Sequence, residues 1–120
     1  MVMKDKAELA FHAAMQEIYR RVVKETGYKP FTFLKMLAEL GGLGTAQQLI
    51  HAAKPSDGYT ELHLKSRLDL TVERECLKQA WKDLFTDEDR AIARARLVAY
   101  GYDFTTDKAS LVPAPGSKSS

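Results

Sequence analysis

The run Gly41-Gly42-Leu43-Gly44 falls between two helix-patterned stretches and decides what this chain can become. Glycine takes left-handed backbone angles without a Cβ clash, so a pair of glycines at the end of an amphipathic pattern stops a helix. Further on come Ser56-Asp57-Gly58-Tyr59 and Arg67-Leu68-Asp69-Leu70-Thr71-Val72-Glu73. Together these breakers, caps and paired charges separate a long amphipathic front half from a capped helical back half.

The front half opens with the clearest helical pattern, Asp5 to Glu25. Ala7, Phe11, Ala14, Met15, Ile18, Val22 and Val23 recur at offsets of a 3.6-residue period. Gly27 and Pro30 close it. A second helix is predicted from Phe31 to Leu40, ended by Gly41 and Gly42. A third starts near Gly44 or Thr45 and buries Ala46, Leu49, Ile50 and Ala53. Lys54 to Gly58 has turn chemistry, and Thr60 is a candidate cap for a short helix to Leu64. Arg67 to Leu70 reads as a connector, with Leu68 and Leu70 alternating as in a brief extended piece.

Thr71 is the predicted N-cap of the next helix, with Glu73 in its first turn. Val72, Cys76, Leu77, Ala80, Trp81 and Leu84 form its stripe. Thr86 caps a last helix whose stripe is Ala91, Ile92, Ala95, Val98, Ala99 and Tyr102. The expected fold is all-α: a compact single-domain bundle of about five to six helices over residues 1–102. Residues 103–120, rich in serine with Pro113 and Pro115, are expected to form a flexible tail.

Composition narrows the chemistry. At 120 residues the chain fits one domain, and 45% hydrophobic with 28% charged residues is ordinary for a globular protein. A single cysteine, Cys76, permits no internal disulfide and suits a reducing cytoplasm. No apolar run reaches the length that spans a bilayer, so a cytoplasmic protein without membrane contact is expected. His12, His51 and His63 have no ligand partners at metal-binding offsets, and no metal or cofactor is predicted. Cys76 lies on an apolar stripe, unlike an activated thiol. The glycine run matches neither a P-loop nor a dinucleotide fingerprint.

Three sets of polar residues remain as candidates. Arg67, Asp69 and Glu73 are close in sequence and are read as a structural polar joint, with Arg67 reaching both carboxylates. An enzyme using that trio is the third functional reading, and no catalytic residue is assigned. The second set is basic: Arg20, Arg21 and Lys24 near the end of the first helix, and Arg90, Arg94 and Arg96 on the last. With a net charge of only +2, nucleic-acid binding rests on such local clusters. Gln47, His51 and Lys54 add a polar face in the third helix. The second and third helices superficially suggest a helix-turn-helix, but that register puts Gln48 where an apolar residue is required. The third set, Tyr59, His63 and Lys65, is expected to be exposed beside the joint as a partner surface.

The residues Ile18-Tyr19, Gly27-Tyr28, Phe33-Leu34-Lys35-Met36-Leu37, Gly41-Gly42, Ser56-Asp57-Gly58-Tyr59-Thr60, the Arg67–Glu73 run and Leu84-Phe85-Thr86 form a pattern. It resembles a widespread family of small bacterial proteins to which no reaction is attached, and it covers most of residues 10–100. Relatives of that kind often carry tryptophan where this chain has His63, so the resemblance implies no shared role there. It carries over no catalytic residue. The leading expectation is a non-catalytic helical binding or adaptor module acting through a protein partner or self-association. The alternative is a DNA- or RNA-binding accessory protein using the basic helix faces.

Overall fold

The computed structural model describes residues 5–114. The fold is all-α, and no strand occurs among the described residues. Helix α1, Lys6–Thr26, is started by Asp5, whose carboxylate accepts the Glu8 amide at 2.8 Å, and ended by Gly27 at φ 77°. It buries Phe11, Met15, Ile18 and Val22, one face as the sequence pattern requires.

Helix α2, Phe31–His51, packs against α1 and is broken at Gly41 with φ 73° and ψ 173°. The break falls where the glycine pair predicts a stop, but the chain re-enters a helix at once, at Gly42. The reason is contact with α1. The Gly42 amide donates to His12 Nδ1 at 2.9 Å, and a Cβ at Gly42 would lie 2.7 Å from the His12 Cα. Gly41 therefore supplies the backbone angle and Gly42 the close approach. Four residues on, buried Thr45 keeps its hydroxyl unpartnered. The turned peptide at Gly41 is where a helical threonine normally finds its carbonyl.

Helix α3, Asp57–Leu64, begins earlier than the sequence suggests: Ser56, not Thr60, is the cap, its Oγ accepting the Tyr59 amide at 3.1 Å. The connector forms a 3-10 turn, Leu68–Leu70, rather than an extended piece. Thr71 caps α4, Val72–Glu75, and its hydroxyl also donates to the Leu68 carbonyl at 2.7 Å. The predicted helix through Leu84 stops here. The Gln79 amide goes to the Ser110 carbonyl at 2.8 Å and the Val112 amide to the Leu77 carbonyl at 2.7 Å, so this backbone bonds across the chain. A 3-10 segment, Gln79–Leu84, follows. Its Trp81 donates to the buried Glu75 carboxylate at 2.7 Å and stacks edge-on with Phe11.

Helix α5, Asp87–Ala99, is capped by Thr86 in a reciprocal box with Asp89. Its buried face is Asp89, Arg90, Ala93 and Leu97. Of the predicted stripe, Ile92 and Tyr102 are half-buried, while Ala91, Ala95, Val98 and Ala99 face outward, with Val98 61% exposed. Small alanines scarcely distinguish one face from another, while the arginines of this helix turn inward to bond main-chain carbonyls.

Residues 103–114, expected as the start of a flexible tail, fold back on the body. Asp107 accepts Arg74 Nε and Nη2, at 2.8 and 2.6 Å, and the Tyr102 hydroxyl at 2.6 Å. Arg74 holds the Asp107 carboxyl well below the usual carboxylate range. Residues 115–120 of that predicted tail lie outside the described residues, as do residues 1–4.

Two outcomes follow from these contacts. Gly42→Ala drives a methyl into the α1 backbone and is expected to destabilise the protein by roughly 2 kcal/mol or more, measured by urea unfolding. Unchanged stability would contradict the close crossing. Asp107→Asn strands Arg74 and is expected to cost about 3 kcal/mol, with faster amide hydrogen exchange over 103–112. Unaltered exchange there would show that the ion pair does not hold the segment.

Candidate functional site

Most of the charged residues singled out in the sequence serve as struts. Arg90 donates to the carbonyls of Lys82 at 3.0 Å and Phe85 at 2.7 Å and to Asp87 at 2.6 Å. Arg94 reaches the Val112 carbonyl at 2.7 Å and lies 4.7 Å over the Phe104 ring. Arg96 donates to the carbonyls of Leu49 at 3.1 Å and Ala52 at 2.6 Å, and to Glu73 at 2.9 Å. These three therefore do not form the solvent-facing basic track that their spacing suggested. Arg20 and Arg21 are exposed but paired along α1 with Glu17 and Glu25, and Lys24 and Lys54 are exposed.

The polar face of the third predicted helix is also committed. Gln47 and His51 both reach Asp89, at 3.1 and 2.7 Å. Asp89 also accepts the Thr86 amide, so one carboxylate joins the end of α2 to the start of α5.

The Arg67 joint is real in part. Arg67 bonds Asp69 at 3.0 Å and, across 42 positions, Glu25 at 2.7 Å. The arginines Arg21 and Arg67 hold the Glu25 carboxyl down to about 2. Glu73 does not join them. It sits 3% exposed and pairs with Arg96 instead, because α4 turns it towards α5. Burial pushes its carboxyl upward, against the pull of Arg96.

Tyr59 corrects a further expectation. It is 2% exposed, not a surface residue, and its hydroxyl donates to the Arg96 carbonyl at 3.1 Å. Burial and the neighbouring Glu73 raise its phenol well above the ordinary range. His63 is half-buried and packs edge-on against Tyr100, and Lys65 lies 3.7 Å from Glu61.

Glu73 and Tyr59 share one setting: a cavity of about 300 Å³ between the end of α1, both halves of α2, the start of α3 and the start of α4. Ile18, Val22, Leu62 and Leu70 give it aliphatic walls, and Tyr28, Phe31 and Phe33 line it from the α1–α2 link and α2. Phe31 is 65% exposed. Lys29, Asp57 and Glu73 are its charged lining residues, and of these Glu73 alone is buried. A concave, mainly apolar space with a few placed polar groups is the usual form of a binding site.

Several elements build this space. Ser56 starts α3 so that Tyr59 is buried three residues later, and Thr71 starts α4 so that Glu73 is buried two residues later. Sequence reasoning named both residues but missed the cavity, because its walls come from four separated segments. A second, more polar hollow runs from Arg21 and His63 to Asp103 and Lys108. Its Arg74 and Asp107 are spent on each other.

Other chemistry is limited. Cys76 is fully buried, and burial among Glu73, Glu75 and Asp89 pushes its thiol far up, which keeps it un-ionised. Among the described residues no three His, Cys, Asp or Glu side chains gather as a metal-binding group, and no helix is long and apolar enough to cross a membrane. Compared with protein-family models, curated proteins and solved structures, the chain matches none of them. The site rests on its geometry.

Glu73 has a definite pH signature. Its carboxyl is raised on folding, so the native state binds the proton more tightly than the unfolded chain. Its contribution is fully present below the unfolded value, about 4.3, and declines as pH rises through the folded one. The stability cost of Glu73→Gln is therefore expected to be larger at pH 4 than at pH 7 in urea unfolding. A cost that grows with pH would reverse the assignment.

Proposed function

We propose that this protein is a non-catalytic helical binding module that engages a protein partner through the cavity lined by Phe31, Tyr59 and Glu73. The observation that supports this reading is an apolar cavity of about 300 Å³ with an exposed phenylalanine among its lining residues. Protein contacts concentrate their energy where one large side chain fills a desolvated pocket. Phe31 and Leu34 lie one turn apart on α2 and are 65% and 41% exposed, extending apolar surface beyond the cavity. The partner is another protein or a second copy of the chain.

The other readings have less support. Nucleic-acid binding needs free cations, and Arg90, Arg94 and Arg96 are bound to carbonyls, carboxylates or an aromatic ring. An enzyme using Arg67, Asp69 and Glu73 needs the three together, and Glu73 is held by a different arginine.

Affinity capture from the host extract tests the reading, run in parallel with wild type and with Leu49→Trp, which fills the cavity from its half-buried wall. A partner held by wild type, lost with the filled variant and unaffected by nuclease is expected, with circular dichroism confirming that the variant folds. Equal capture by both proteins, or release on nuclease treatment, would refute it. Dimerisation in sedimentation that Leu49→Trp abolishes would identify the partner as a second copy.

A further inference from the structure

The cavity's chemistry specifies its occupant more closely, on the premise that a partner side chain enters it. Its walls are mainly aliphatic and aromatic, the hydroxyls of Ser56 and Thr71 among them are engaged by main-chain groups, and its one buried charged residue is Glu73. That carboxylate receives Arg96 through a single nitrogen, at 2.9 Å. A carboxylate has room for about four donors, so it retains acceptor capacity beside the aliphatic walls.

The sign of the occupant follows from the pair. Glu73 and Arg96 already neutralise each other. A cationic head would bring an unbalanced charge between apolar walls, and an anionic one would face the carboxylate. A neutral group with one N–H or O–H donor meets neither penalty. The size follows from the volume. An apolar cavity of about 150 Å³ accommodates benzene, and this one is about 300 Å³, enough for two fused rings.

We propose that the cavity receives a tryptophan side chain of the partner protein, with the indole rings between the walls of α1 and α3 and the indole N–H donated to the Glu73 carboxylate. Tryptophan is the side chain that joins a two-ring apolar body to one neutral donor, and a buried indole needs a partner for that N–H. A protein-borne indole fits better than a free one because the exposed faces of Phe31 and Leu34 are apolar surface beside the cavity that a larger body would cover.

Two-dimensional amide NMR titrations of the wild-type protein test this with N-acetyl-tryptophanamide, its benzofuran analogue, in which oxygen replaces the indole N–H, and free indole. The tryptophan amide is expected to shift the amides of Gly58, Tyr59 and Val72 and to bind about tenfold tighter than the benzofuran analogue, as for a hydrogen bond to a charged acceptor. Leu49→Trp is expected to abolish the shifts, while the comparison of ligands requires no variant. Equal binding of the two amides would overturn the donor assignment and leave the cavity as an apolar anchor site. No binding by either would overturn the binding-module reading as well. Free indole binding as tightly as the tryptophan amide would overturn the protein source in favour of a small molecule.

Discussion

Arg96 carries the greatest share of the long-range polar order. Its guanidinium joins the carbonyls of Leu49 and Ala52, at the end of α2, to the carboxylate of Glu73 in α4. Its own carbonyl receives the hydroxyl of Tyr59 from α3. One residue of α5 thus ties three other helices together. The carbonyls it takes belong to a helix end, where main-chain acceptors lack intrahelical partners. A planar guanidinium with five donors can serve three acceptors at once, which an ammonium on a flexible stem does poorly.

This placement explains the character of the cavity. Tyr59 and Glu73 stand on its wall because Arg96 holds both from behind. A pair with one buried carboxylate is expensive to desolvate and does little for stability compared with an apolar substitute. It leaves a buried carboxylate beside the aliphatic walls of the cavity. Elsewhere, the α1–α2 contact depends on Gly42 lying against the His12 backbone. The middle and the C-terminal end of α2 are thereby fixed by different means, the middle by close approach and the end by charge.

What could be read from the sequence was local. The α1 stripe, the stop signal at Gly41 and the caps at Thr71 and Thr86 depend on neighbours a few residues away, and all appear in the structure. The face of α5 did not, because alanine fits either side and arginine counts as polar even when its head bonds buried carbonyls. The short α4 and the docked 103–112 segment depend on bonds spanning over 30 positions, such as Arg74 to Asp107. Glu73 was recognised as a member of a charge cluster, but its partner lies 23 positions away, not at Arg67. The cavity left no signal, since its lining is assembled from segments that share no period.

The most direct test of the account is a double-mutant cycle on Arg96 and Glu73, using Arg96→Met, Glu73→Leu and both together, read by urea unfolding at neutral pH. Arg96→Met leaves the Glu73 carboxylate unpaired and Glu73→Leu leaves the Arg96 charge without a counter-charge; each is expected to cost about 3 kcal/mol, while the double variant recovers much of that loss, a coupling of about 2 kcal/mol. Single changes within about 0.5 kcal/mol of wild type that add without coupling would mean that Arg96 is an ordinary surface charge, and the inward strut that shapes the cavity would not exist.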